Sequence, residues 1–382
     1  MSRRVVYVSF LRLTNRVARD WYLDDLRERG AEVEYWDVVE ALREPHDEVD
    51  TIDPSYLHRF RTLAEVEERV RREEYADAIF VMLIAYTGRF SNIYEVLSRY
   101  DRRMVIIQRA DMPTSPAPIW KKLLQRWASP LWLARVALNV AKAKAMRRKG
   151  LVKPYDMIFA AGAVTMRGDT YARRIIPINA FDYDEFVRVG ALPERLVESR
   201  YAVFLDINLP FQSDLDLCGL PAIAADEYFS SLNEYFRAVE RVLGMPVVIA
   251  AHPKTAYGSE RFEGRTVMRG VTSHLVRDSS LVLTHTSTSL SYAVLNRKPL
   301  IFIYTDAMRS AYKDNVMREL ANFAKYLNAP LANVNDTAAR QHLAIPNVDP
   351  ERYDAYVHDF LTSEESKDYA TRDIFCQAVA NC

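Results

Sequence analysis

Short apolar runs and amphipathic stretches alternate along the whole chain. Val5–Phe10, Val33–Trp36, Ala78–Ala85, Met104–Gln108, Asp156–Ala161 and Ile175–Ile178 are apolar at nearly every position, the signature of strands buried on both faces. Between them, Asn15–Arg29, Leu63–Glu74 and Ile93–Tyr100 read as helices, and Gly30-Ala31 turns the first of these into the second strand. After a polar stretch from Asp182 to Arg200 the alternation restarts. Strands are expected over Tyr201–Leu205, Val247–Ala251, Leu281–Thr284 and Pro299–Ile303, and helices over Ala225–Leu243, Thr272–Arg277 and Thr288–Leu295, with further helices to the end. Strand–helix alternation of this kind builds a parallel sheet covered by helices.

The expected architecture is therefore α/β, with two Rossmann-like domains whose parallel sheets face a central cleft. The domains are read as residues 1–190 and 191–382, with a last helix able to cross back. In open α/β sheets ligands bind beyond the carboxyl ends of the strands, so those ends carry the candidate chemistry.

Bulk properties agree with this outline. A chain of 382 residues suits two domains of about 150–200 residues each. The formal net charge is zero, which gives the molecule as a whole no attraction for nucleic acid. Three cysteines, Cys218, Cys376 and Cys382, are scattered without disulfide or metal spacing, as in a reducing compartment. The basic start is followed by an apolar run too short for a signal peptide. The longest apolar run, Ala78–Tyr86, is about half of what spanning a bilayer takes. No Gly-x-Gly-x-x-Gly follows the first strand, so a dinucleotide cofactor is not expected.

Two strand ends stand out. Val247–Ala251 runs directly into His252-Pro253-Lys254. The proline stiffens the exit from the strand, and a histidine beside a lysine suits a phosphate and can hand over a proton. The plain alternative is a histidine satisfied by loop backbone. The second strand end is Leu281–Thr284, followed by His285-Thr286-Ser287-Thr288-Ser289 and a helix. Amides at a helix start and the hydroxyls of Ser287, Thr288 and Ser289 make an anion cradle without glycines. Taken alone, these residues are ordinary helix caps. Taken with His252 on a neighbouring strand of the same sheet, they favour a phosphate site that also includes His285.

A His-Pro pair at one strand end and a Ser/Thr pair opening a later helix resemble the GT-B bacterial sialyltransferases and polysialyltransferases. They are also similar to the Kdo transferases of capsule and O-antigen synthesis. The resemblance covers mainly residues 200–303. It implies a CMP-sugar donor, with His252 on the phosphate and assisting departure of CMP, and Ser287, Thr288 and Ser289 on phosphate or ribose. Those families carry an Asp/Glu-Asp/Glu-Gly motif after the first strand of the second domain. Here Leu205-Asp206-Ile207-Asn208 stands in that place without the glycine. Asp206 is thus the candidate base or nucleophile, with an Asp capping its loop as the equal alternative and Asp214 as the fallback. No metal or other cofactor is expected. In the first half, Arg89 in Tyr86-Thr87-Gly88-Arg89 and Asp111 in Arg109-Ala110-Asp111 are candidates for the acceptor side, with ordinary loop residues as the plain alternative, since loops near any sheet look like this.

From Pro118 to Gly150 the chain holds nine Lys or Arg and no Asp or Glu. Trp120, Lys121, Lys122 and Trp127 open the stretch, and Lys142, Lys144, Arg147, Arg148 and Lys149 close it. Basic residues opposite an apolar face with tryptophans let a helix lie in an anionic membrane interface. A helix pair packed on its domain is the competing reading. The functional expectation is a metal-independent glycosyltransferase at the cytoplasmic face of the inner membrane. It moves an acidic sugar (Kdo or nonulosonic acid) from CMP to a surface-polysaccharide or lipid-linked glycan. The rivals are a transferase with a UDP-, GDP- or dTDP-sugar or a CDP-polyol, and a non-catalytic scaffold on the membrane.

Overall fold

The structure, a computed structural model, describes residues 3–42, 51–109, 130–211, 221–253, 255, 257–312 and 316–382. It divides into two compact units. The first takes in the described residues up to Asn179 together with Ser363–Cys382, and the second is Ala180–Thr362.

In the first unit, seven strands are β1 (Arg4–Ser9), β2 (Glu32–Asp37), β3 (Leu57–Arg59), β4 (Ile79–Met82), β5 (Arg103–Gln108), β6 (Tyr155–Ala161) and β7 (Ala172–Ile178). They lie in the order β3-β2-β1-β4-β5-β6-β7, and every pair is parallel. Val5, Val6, Tyr7 and Val8 are all fully buried, as a strand with layers packed on both faces must be. The helix expected over Asn15–Arg29 is two helices, Asn15–Asp20 and Leu23–Glu28. They break at Tyr22, whose φ is 63°. Tyr22 packs against Phe375 of the last helix, Thr371–Ala380, with ring centres 5.9 Å apart, so tertiary packing overrides the helical period. Phe375 also meets Phe159 of β6 at 5.0 Å.

The second unit repeats the plan with β8 (Ala202–Leu205), β9 (Val247–Ala251), β10 (Val267–Arg269), β11 (Leu281–Thr284), β12 (Leu300–Tyr304) and β13 (Leu331–Asn333). Their order is β10-β9-β8-β11-β12-β13, again all parallel. The long helix Ala225–Leu243 buries Tyr228, Phe229, Leu232, Tyr235, Phe236 and Val239, an apolar stripe at helical spacing. It ends where Gly244, at φ 63°, donates its amide to the Glu240 carbonyl, a turn glycine makes at no steric cost. The unit boundary falls at Asn179 rather than at residue 190. The helix Phe181–Gly190 packs on Thr272–Asp278 and Leu290–Leu295, and Arg277 donates to the carbonyls of Val189 and Leu192 at 2.8 Å each.

Candidate functional site

The second sheet grows outward from β8 in two directions. The chain steps from β8 to β9 and β10 on one side, then crosses to β11, β12 and β13 on the other. The reversal makes the carboxyl end of β8 the topological switch point, where the flanking crossovers diverge and leave a crevice. The register brings Ala250, Leu205 and Thr284 to one level. The loops that begin at Asp206, His252 and His285 therefore leave the sheet side by side. Strands β9 and β11 are not neighbours, as the expected pairing of His252 with the hydroxyl turn had them. β8 lies between, so the two groups stand roughly 10 Å apart, two strand spacings. Asp206 occupies the middle.

Asp206 is 5% exposed and accepts four kinds of hydrogen bond. Its Oδ1 takes the amide of Asn208 at 3.0 Å. Its Oδ2 takes the amide of His252 at 3.4 Å and the Thr255 hydroxyl at 3.1 Å. The Tyr257 phenol lies 3.1 and 3.0 Å from the two oxygens. A buried carboxylate needs such donors, and here three of the four come from one loop, 252–257. Thr255 closes that loop by donating its amide to the His252 carbonyl at 2.9 Å. Tyr257 is anchored further by Phe229 at 5.0 Å and Phe211 at 5.7 Å. Burial, together with the Asp206 charge, pushes the Tyr257 phenol far above its usual range; it stays protonated and donates. This arrangement fits Asp206 as the group that positions the His252 loop more readily than as an exposed base or nucleophile. His252 itself is half-buried and Pro253 exposed. Lys254 and Asp214 lie outside the described residues.

The glycine missing from Leu205-Asp206-Ile207-Asn208 has a conformational substitute. Asn208 sits at φ 55°, the left-handed region that glycine enters freely and that asparagine tolerates better than most side chains.

His285 does not join the phosphate group. It is fully buried, with Nε2 2.9 Å from the Tyr228 hydroxyl and Nδ1 2.6 Å from the Ile303 carbonyl. A carbonyl can only accept, so Nδ1 carries the proton and Nε2 accepts from Tyr228. Burial lowers the imidazole to a pKa of about 4. It is a neutral brace between the helix Ala225–Leu243 and β12. Beyond it the turn is more open: Ser287 and Ser289 are half-buried and Thr288 is exposed. The helix Leu290–Leu295 is only six residues long, so its dipole adds little, and its N-cap Ser289 makes no side-chain cap bond. Ser287 Oγ instead accepts from the Ser289 amide at 3.3 Å. The amides of Ser287 and Thr288 make no backbone hydrogen bond among the described residues. Hydroxyls and amides, rather than a helix field, are what this turn can offer an anion.

Behind the turn, Asp182 binds the hydroxyls of Ser291 and Tyr292, and burial pushes its carboxyl up to about 6. Two Asp-x-Asp spacings occur in the chain, Asp182–Asp184 and Asp214–Asp216. The first is committed at Asp182 to these hydroxyls, and the second lies outside the described residues. Nothing in the sequence pattern singled out Thr255, Tyr257 or Asp182. Only the absent glycine pointed to Asn208.

In the first unit, Arg89 is exposed and lies over the Phe90 ring at 5.3 Å. Asp111, Trp120, Lys121, Lys122 and Trp127 lie outside the described residues. The helix Pro130–Arg148 is held to the loop after β4. The Tyr86 hydroxyl donates to the Ala143 carbonyl at 2.8 Å, and a Cβ on Gly88 would meet the Asn139 carbonyl at 2.1 Å. Arg147, expected at a membrane surface, is taken up inside the unit. It lies between the rings of Tyr86 and Tyr171, 4.3 and 4.4 Å away, and forms a two-pronged pair with Asp169 at 3.0 and 2.7 Å. Arg135, Lys142, Lys144, Arg148 and Lys149 are exposed, although Lys142 also donates to Asn92 at 3.0 Å. Leu138, at 68% exposure, projects among them. Among the described residues no helix is long and apolar enough to cross a membrane.

No protein family's sequence profile matches the chain, and no curated protein matches it. Solved structures do. The wall teichoic acid polymerase TagF is similar at 10% identity with a TM-score of 0.52, over 100% of this chain and 89% of that one. A TagF variant soaked with CDPG matches at 12% identity and 0.51, over 99% and 88%. The calicheamicin glycosyltransferase CalG4 matches at 12% identity and 0.48, over 100% and 98%. At such identities the likeness is one of fold. The chain has the GT-B fold, two Rossmann-like units built on parallel sheets of seven and six strands.

Proposed function

We propose that this chain is a glycosyltransferase whose second unit binds a nucleotide-activated donor at the carboxyl ends of β8, β9 and β11. The donor is a CMP-linked acidic sugar of the Kdo or nonulosonic type, and the acceptor a surface-polysaccharide or lipid-linked glycan. The observation that carries the reading is the tie between Asp206 and the His252 loop at the switch point. A buried carboxylate is used to hold a half-buried histidine loop, and a histidine is the side chain best suited to trade a proton near neutral pH.

In this scheme the bond from the anomeric carbon to the phosphate oxygen breaks with its electron pair on the oxygen. His252 supplies a proton or positive charge there, and the Ser287–Ser289 hydroxyls and amides donate hydrogen bonds to the same phosphate. The acceptor hydroxyl forms the new bond at the anomeric carbon and gives up its proton to solvent water. Asp206 acts through the loop. The scheme uses no metal, so chelator should leave transfer unchanged. The exposed basic face of the helix Pro130–Arg148 would hold the enzyme at an anionic membrane where a lipid-linked acceptor resides.

A second reading, transfer of a polyol phosphate from a CDP donor, is favoured by the likeness to TagF, one form of which was soaked with CDPG. Thermal shift of the purified chain with CMP, CDP, UDP, GDP and dTDP separates these. Stabilisation by CMP is expected, and by CDP on the second reading. Stabilisation by UDP alone overturns the cytidine donor, and no stabilisation by any nucleotide leaves the scaffold reading. Transfer unaffected by His252→Ala would overturn the proposed site.

A further inference from the structure

We infer that Asn208 is a donor-recognition residue, its side-chain carbonyl accepting a hydrogen bond from a hydroxyl of the bound nucleotide-activated donor. The inference rests on the reading that the end of β8 takes such a donor, and it adds a residue that neither the His-Pro pair nor the Ser/Thr turn implies.

Three observations converge on it. Asn208 is 7% exposed, and its Oδ1 is buried with no hydrogen-bond partner among the described residues. Buried side-chain acceptors are nearly always paired, and an unpaired one in a native fold calls for an explanation. Its backbone is held at φ 55°. That conformation is not an accident of a loose loop, because the Asn208 amide donates to Asp206 Oδ1 at 3.0 Å and its carbonyl accepts from Phe211 at 3.0 Å. The third observation is position. Asn208 lies two residues past Asp206 at the switch point, in the loop between the His252 and Ser287 loops. Strain and an unpaired polar group together, at the place where the sheet opens, mark a group kept for a ligand rather than for the fold.

The atom also narrows the chemistry. A carboxamide carbonyl accepts only, so it has nothing to offer a phosphate that is unprotonated at neutral pH. Its partner must carry a hydrogen, as a hydroxyl of the ribose or of the transferred group does.

Asn208→Gly tests this cleanly. Glycine adopts the same φ without cost and removes the unpaired acceptor, so the variant should melt at or above the wild-type temperature. Its binding should weaken about tenfold, the loss of one neutral hydrogen bond. Titration calorimetry with CMP, 2′-deoxy-CMP, CMP-N-acetylneuraminic acid and CDP-glycerol finds the source. If the ribose supplies the hydroxyl, CMP weakens in the variant. A variant defect that disappears with 2′-deoxy-CMP then identifies the 2′-hydroxyl. If the transferred group supplies it, CMP is unchanged and CMP-N-acetylneuraminic acid or CDP-glycerol weakens. A wild-type chain that binds these ligands, with Asn208→Gly binding all of them equally well, overturns the role of Asn208 alone. A lower melting temperature with unchanged affinity also overturns it, by showing a structural residue. A wild-type chain that binds none of them brings down the donor site itself.

Discussion

The Tyr257 phenol bridges both oxygens of the Asp206 carboxylate, at 3.1 and 3.0 Å, and so joins the end of β8 to the loop that leaves β9 with His252. Tyr257 lies five residues beyond His252, yet it is packed against Phe229 and Phe211. The position of the histidine loop is thus set by the aromatic core of the second unit through one buried charge.

Removing the phenol should therefore reach the chemistry without touching substrate. Tyr257→Phe keeps the packing and should cost about 1–2 kcal/mol of stability, since a buried charged acceptor loses a donor. Transfer should fall at least tenfold in kcat with little change in KM. Asp206→Asn should behave similarly, because its amide would face the donors of the loop. If Tyr257→Phe keeps full activity while Asp206→Asn abolishes it, the carboxylate acts directly and the positioning role is wrong.

His285 makes a pH prediction whose sign follows from its burial. Its folded pKa of about 4 lies below the ordinary 6.5, so between those values the unfolded chain binds the proton and the folded chain does not. Stability is intact above pH 6.5 and is lost as pH falls toward 4. Between pH 7 and pH 5 the loss from this one group is about 2 kcal/mol. Urea unfolding of His285→Gln, which cannot titrate, should show an acid loss smaller by that amount. Equal losses in the two proteins would mean that the ring is protonated in the folded state.

Gly88 is needed for close approach, not for a special φ. A Cβ there would lie 2.1 Å from the Asn139 carbonyl and 2.8 Å from its Oδ1, and the first of these is backbone that cannot swing aside. Gly88→Ala should destabilise by about 1–3 kcal/mol and lower the melting temperature by several degrees. Hydrogen exchange should quicken in the helix Pro130–Arg148. Gly190→Ala, where nothing lies within 4 Å of the added carbon, is the control and should be neutral.

The basic helix predicts a surface affinity. The chain should cosediment with vesicles containing an anionic lipid such as phosphatidylglycerol and not with purely zwitterionic vesicles, and salt should weaken the binding. Replacing Arg135, Lys142, Lys144, Arg148 and Lys149 by Glu should abolish it while nucleotide binding persists. Arg147→Ala should instead lower stability, because its guanidinium serves Asp169 and two tyrosine rings inside the unit.

Much of the fold was legible because a parallel strand buried on both faces must be apolar at almost every position, and such runs are visible in a bare chain. The strands that escaped are β3, β10 and β13, each three residues long and each at the edge of a sheet. Edge strands are half-exposed and need no unbroken apolar run. The split at Tyr22 was invisible for a related reason, since it answers to Phe375, hundreds of residues away in sequence.

At the site, apolar runs ending in His252 and in the Ser287 turn announced themselves, because a strand end is a local property. What those groups do to one another was not local. Whether β8 separates them, whether His285 turns into the core, and whether Asp206 faces solvent or three donors from one loop depend on crossover direction and on side chains far apart in the chain. Period and polarity specify which segments become strands and where each one stops. Only packing in three dimensions decides which ends meet, which polar groups are spent on holding the fold, and which remain for a ligand.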